Sequence, residues 1–193
     1  MGRTGKWWSI QNFPGLEPDL MSVASRWPQA PAQCRYRPAR NYGITWGTSH
    51  VFTTAGNPVT AAAAMATIDV IEQEHLLDQS RILGEKAKAF FEAEQQKYPF
   101  IGDVRMYGLD GGIDIVDPET NAPDPVATTK LIYRVFELGA IIISLRGNVL
   151  RFQPPLVITE EQLNKAFVIL AQAFSELAAG QLKLPANADQ IGW

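Results

Sequence analysis

Arg151 stands in Val149-Leu150-Arg151-Phe152, just ahead of Pro154-Pro155. Strand alternation puts Leu150 and Phe152 on one face and Arg151 on the other. A guanidinium on a strand beside a chain break suits a bidentate carboxylate, or a structural salt bridge. Thr48-Ser49-His50 and Thr53-Thr54-Ala55-Gly56-Asn57-Pro58 gather hydroxyls and backbone N–H groups ahead of a helix N-terminus. Such a place attracts phosphate through the helix dipole and its unpaired donors; the same residues also serve as plain helix caps. Gly2-Arg3-Thr4-Gly5-Lys6 has two cations among glycines and could touch a phosphate or carboxylate, or form a solvated turn. It lacks the spacing of a nucleotide-binding P-loop. Arg105 could pair with Asp103 or Asp114, and Arg146 faces solvent in a turn. His50 and His75 are the only histidines and lie far apart, which supports neither a metal site nor a hydrolase triad. His75 reads as a structural residue near a helix end.

These residues must be positioned by a chain with three parts. Residues 1–56 are rich in Gly, Pro, Trp and Arg; 57–98 are helical; 99–178 alternate strand and helix signals. Asn57 caps a first helix with Pro58 in its first turn, and Ala61, Met65, Ile68 and Glu72 share one face. A second helix is predicted from Asp78 to Tyr98, burying Leu83, Ala87, Phe90 and Phe91, and Pro99 stops it. Ile101 to Tyr107 and Ile113 to Val116 read as strands joined by a glycine-rich turn. Asp124 and Pro125 open a helix with Leu131, Val135 and Leu138 on one face, ended by Gly139. Ala140 to Leu145 reads as a buried strand, and Val149 to Phe152 as its return. Thr159 with Gln162 forms a capping box for a last helix whose core face is Leu163, Phe167, Leu170, Phe174 and Leu177. Residues 75–178 can thus bury a core of their own as an α+β module. Trp7, Trp8 and Trp46 would be exposed without a sheet to join. The tail after Gly180 reads as loose.

Composition narrows the function. The chain has 193 residues, 46% hydrophobic and 19% charged, an ordinary globular profile. A formal charge of −3 argues against nucleic acid as the main partner. No apolar run is long enough for a membrane span. The N-terminus has no secretory h-region, and lone Cys34 forms no internal disulfide or Cys-based zinc site. The expected compartment is cytoplasmic.

Several of these segments, in order, resemble the class III aminotransferases, pyridoxal-phosphate enzymes of fold type I that include the 4-aminobutyrate, ornithine and acetylornithine aminotransferases. The segments are Gly2-Arg3-Thr4-Gly5-Lys6, Glu17-Pro18-Asp19-Leu20, Thr53 to Pro58 with the Ala-rich helix, and Asn148 to Phe152 with Pro154-Pro155-Leu156. The resemblance implies an α/β protein: the C-terminal half of such an enzyme, with a remnant of the large cofactor domain in 1–56, an interdomain helix in 57–74 and a small α+β domain in 75–193. It implies that Thr53 reaches the cofactor phosphate of a neighbouring subunit and that Arg151 grips the substrate carboxylate. It implies amino transfer from a donor such as 4-aminobutyrate to a 2-oxo acid, in a homodimer. The family's acidic partner of the pyridine nitrogen, phosphate loop and ring-stacking aromatic belong upstream of Gly2 and are not assigned here.

One departure outweighs the matches. The family's Schiff-base lysine follows the segment matched by Asp19 to Ala24, and here position 25 is Ser25. No lysine lies between Lys6 and Lys86. Serine can neither hold the cofactor as an imine nor move the substrate proton. The chain is therefore expected to be an inactive fragment, or else a non-catalytic partner of a complete subunit. Residues 24–44 are atypical throughout: Arg26, Arg35, Arg37 and Arg40, three prolines, and no acid. A local reading-frame shift, in and back out, would produce this. A true basic insert for an acidic partner is the rival reading.

Overall fold

The computed structural model describes residues 1–18 and 57–184. The chain divides into two compact units: Met1–Asn12 with the chain from Leu77 onward, and Phe13–Leu76.

In the second of these, the main described element is α1, Pro58–Gln73. Asn57 caps it, its side chain accepting from the backbone N–H of Val59 at 2.9 Å and of Thr60 at 3.4 Å. The helix ends at a turn in which His75 takes φ 51°. Its buried residue is Ile71, with Ala64 and Ile68 half-buried, whereas Met65 is 60% exposed. The expected face through Ala61, Met65 and Glu72 is therefore displaced. A helix with alanine or another apolar residue at most positions has too little amphipathic contrast for spacing to select one side.

The other unit is built on an antiparallel sheet of order β1-β2-β4-β3, with β1 at Ile101–Tyr107, β2 at Asp110–Ile115, β3 at Ile143–Leu145 and β4 at Val149–Phe152. Helices α2 (Leu76–Lys97), α3 (Pro125–Glu137) and α4 (Glu160–Ala178) supply the rest of its core. Leu83, Ala87 and Phe91 of α2, Leu131 and Val135 of α3, and Leu163, Leu170 and Phe174 of α4 join Ile113, Ile115, Leu150 and Phe152 in one buried cluster. Asp124 caps α3, and the Thr159–Gln162 box caps α4, as their residue types require.

Three details depart from the sequence reading. First, α2 starts two residues early and Phe90 is only half-buried, stacked on Phe167 at 4.3 Å. Second, Gly111 and Gly112 are strand residues, so the β1–β2 turn is only Gly108-Leu109. Glycine there makes room: Met106 fills the space a Cβ at Gly111 would need. Third, β3 is a short edge strand rather than a buried one, with Ile143 42% and Leu145 46% exposed. An apolar run does not reveal whether both faces of a strand are covered. Trp7 and Trp8 are half-buried.

The Gly-Arg-Thr-Gly-Lys segment is structural in this unit. The Arg3 carbonyl accepts from the Leu109 N–H at 2.7 Å and from the Ser80 hydroxyl, while the Arg3 guanidinium donates to the Pro154 carbonyl. Gly84 of α2 lies against the backbone of Gly108, which in turn lies against Arg3 and Thr4. Three backbones meet where any Cβ would collide. In an open helix Gly→Ala is worth about 1 kcal/mol of stabilisation. Here the sign reverses: Gly84→Ala should lower stability by ~1–3 kcal/mol through overpacking, read as a reduced urea midpoint.

Candidate functional site

Arg151 is placed by register. It lies opposite Gly112 on β2 and Ile143 on β3. Its neighbours Leu150 and Phe152, 0% and 6% exposed, point into the core, so Arg151 projects from the outer face. Asn148 fixes the approach to β4: it is buried and donates from Nδ2 to the Ile115 carbonyl at 3.3 Å.

The side chain of Arg151 is half-buried and has no hydrogen bond or ion pair among the described residues. Most other described arginines are committed. Arg81 meets Asp78 and Glu85, Arg134 meets Glu137 and Glu176, and Arg3 meets Pro154. Arg146 is the other guanidinium without a partner among the described residues, but it is exposed in the β3–β4 turn at φ 52°. A half-buried, unpartnered guanidinium on a rigid strand is organised to receive a carboxylate.

Arg105 sits on the same outer face, on β1, opposite Gly112. It bonds both candidate acids, Asp114 through two nitrogens, one of them at 2.9 Å, and Asp103 through one. These carboxylates hold the guanidinium pKa above its ordinary value. The row Arg105–Gly112–Arg151 thus crosses three strands, with a glycine between the two cations and the Val149 side chain beside it. Sequence reasoning placed Gly112 in a turn and missed this row; the alternation Asp110, Gly112, Asp114 was the available signal.

Ser25 and Thr53, the positions expected to meet a cofactor, lie outside the described residues, as do Thr48 to His50. A pyridoxal cofactor needs an amine to carry it. Among the described lysines, Lys86, Lys88, Lys97 and Lys165 are paired with Glu160, Glu92, Glu94 and Glu161. Glu94 also raises the pKa of Lys97 by its hydrogen bond, keeping that amine protonated. Lys6, Lys130 and Lys183 have no ion pair among the described residues, and the residues expected to meet the cofactor are not among those described. The described residues contain no group of three or more His, Cys, Asp or Glu able to hold a metal ion. No described helix is long and apolar enough to cross a membrane.

Comparison with known proteins gives this geometry a context. The family model for aminotransferase class-III matches residues 1–174. Isoleucine 2-epimerase of Lentilactobacillus buchneri is 48% identical over 100% of this chain and 43% of its own length. The 4-aminobutyrate aminotransferase GabT of Escherichia coli is 34% identical over 91% of the chain and 42% of its own length. An S-selective transaminase from Bacillus megaterium superposes with a TM-score of 0.77 at 26% identity, covering 93% of this chain and 42% of that one. The chain therefore spans less than half the length of these relatives.

Proposed function

The chain belongs to the aminotransferase class-III family, and on that footing we propose that it is part of a pyridoxal-phosphate enzyme in which Arg151 grips the substrate carboxylate. The observation that carries this reading is the unpartnered, half-buried guanidinium on β4. A fixed bidentate partner orients the donor and resists displacement by water. The family's cofactor supplies an electron sink for bonds at the substrate carbon. We assign 1–56 to the large cofactor domain, 57–74 to an interdomain helix and 75–193 to the small domain, with Thr53 serving the cofactor phosphate.

The reaction proposed first is transfer of an amino group from a donor such as 4-aminobutyrate to a 2-oxo acid. A second reading, inversion at the α-carbon of a branched amino acid, is favoured by the 48% identity to the epimerase against 34% to the aminotransferase. Both reactions need a carboxylate grip and a lysine.

The missing lysine supports a reading-frame origin for the atypical window. One permitted choice of codons for Val23-Ala24-Ser25 is GTG-GCA-AGT. Read from the third base of the valine codon, they contain GGC-AAG, which is Gly-Lys. Permitted codons through Ala30 continue that frame as Ser-Leu-Ala-Ala-Gly, a small-residue turn ending in glycine. In the remaining frame, codons permitted for Gln33 to Ser49 can spell Ser-Ala-Val-Ile-Val-Arg-Arg-Glu-Ile-Met-Glu-Ser-Leu-Gly-Ala-Pro-Ala. Under that choice of codons the alternative would carry the apolar run and the acids that residues 24–44 lack.

The test is a protein carrying the restored frame, assayed with 4-aminobutyrate plus a 2-oxo acid, and separately with L-isoleucine alone. Amino transfer supports the first reading, and epimerisation without a 2-oxo acid the second. Inertness with both substrates, in a folded and cofactor-loaded protein, would overturn both. In the active protein Arg151→Gln should raise KM for the carboxylate substrate by about tenfold or more, the loss of a charged hydrogen bond worth ~1.5–3 kcal/mol.

A further inference from the structure

The geometry points to Arg105 as a positioning residue that keeps Arg151 free by holding Asp114 away from it. This rests on the reading of Arg151 as the carboxylate grip, and it asks what prevents that grip from being filled by the protein's own acids.

On the outer face of the sheet, Asp110 and Asp114 flank Gly112 and are the described carboxylates nearest in register to Arg151; Asp110 accepts from Gln153 Nε2 at 2.5 Å. Asp114 lies opposite Val149, and Gly112 lies opposite Arg151, so Asp114 and Arg151 are diagonal cross-strand neighbours. Such positions are about 7–8 Å apart at their backbones, within reach of a long side chain. Gly112 presents no side chain there; the space its Cβ would take is bordered by Val149 Cγ1, at 3.0 Å, and by Arg105 Nη2, at 3.6 Å. An ion pair there would neutralise the grip and compete with substrate at every encounter.

Arg105 resolves the competition from the other side. It lies opposite Gly112 on β1 and takes both oxygens of Asp114, while Asp103 accepts from the same guanidinium. The bidentate pair is geometrically more specific than any single contact Asp114 could make diagonally. A Cβ at Gly112 would stand 3.6 Å from Arg105 Nη2, so the Arg105 cation reaches toward the glycine from β1. Ile143, Leu145 and Val149, which share the outer face beside Arg151, are apolar, and Gln153 on its other side donates to Asp110. The acids of this face are thus gathered on β1 and β2, and the free cation stands on β4.

The test uses the full chain and the reactivity of arginine toward phenylglyoxal, followed at Arg151 by mass spectrometry. Arg105→Gln should slow modification of Arg151 several-fold, because the released Asp114 now pairs with it. Arg105→Lys should leave the rate near wild type, since lysine retains Asp114. Combining Arg105→Gln with Asp114→Asn should return the rate to wild type. A purely structural role for Arg105 predicts the opposite sign, a looser sheet and faster modification in Arg105→Gln. Unchanged or faster modification in that variant would overturn the proposal. Protection of wild-type Arg151 by millimolar L-isoleucine is a separate readout, whose absence would count against the grip itself and leave the Arg105 result standing.

Discussion

Incubated with pyridoxal phosphate and reduced with borohydride, this chain acquires no stoichiometric adduct and shows no turnover of an amino donor. A trapped adduct requires a neutral primary amine held against the cofactor, and position 25 carries a hydroxyl. Two of the described lysines are already committed. Lys86 is a helix residue whose ammonium is bonded to Glu160, and Lys97 is held protonated by Glu94. Scattered surface imines would form reversibly and at substoichiometric levels. The loss is large because the missing amine has two duties. Its proton transfer alone is worth about 10²–10⁴-fold in rate, and its covalent role is additional. Peptide mapping after reduction, together with absorbance of the cofactor, measures the first part; amino-donor consumption measures the second. One stoichiometric adduct on a single residue, accompanied by turnover, would contradict this.

The second large effect concerns the core. Phe174→Ala should cost ~3–5 kcal/mol, the range for deleting a fully buried aromatic ring. Phe174 is 0% exposed and packs at ring-centroid distances of 6.1 Å from Phe100 and 6.3 Å from Tyr98, so it ties α4 to the chain that leads into β1. The cavity has little chance to collapse, because Leu170, Ala173 and Ile101 around it are themselves held in the same buried cluster. A loss of that size is about a fifth or more of the ~5–15 kcal/mol that stabilises an ordinary domain. Val168→Ala on the exposed side of the same helix should change stability by no more than ~0.5 kcal/mol. Urea unfolding of the three proteins separates these cases: equal midpoints for Phe174→Ala and Val168→Ala would remove α4 from the core.

Much of this architecture was legible wherever a residue type admits one local solution. Asn57-Pro58, Asp124-Pro125 and Thr159 with Gln162 each satisfy orphan N–H groups at a helix start, and each does so here. The strands Ile101–Tyr107 and Val149–Phe152 followed from alternation against turn residues. The face of α1 was not legible, because alanine carries no directional signal. The edge position of β3 was not, because coverage of a strand depends on what lies beside it in space. Gly111 and Gly112 look like turn residues to any local rule; only the packing of Met106 and the closeness of Arg105 explain them in a strand. For the site, alternation placed Arg151 away from the core. Its freedom from partners became visible only when Asp103 and Asp114 were both found on Arg105.

The same contrast applies to residues 24–44. Their composition marks them as unlike the rest of the chain, and one permitted choice of codons would place a lysine at the boundary where the resemblance stops. We propose that the family's two grips and its amine are parts of one ancestral site, with Thr53 and Arg151 as the grips and the amine missing at Ser25.

The most direct measurement is the nucleotide sequence across the codons for Val23 to Ser49, read from independent template DNA. The account predicts additional bases that restore AAG after a glycine codon and rejoin the present frame before Val51. Codons that confirm the written frame, with stops or unrelated residues in the other two, would contradict it.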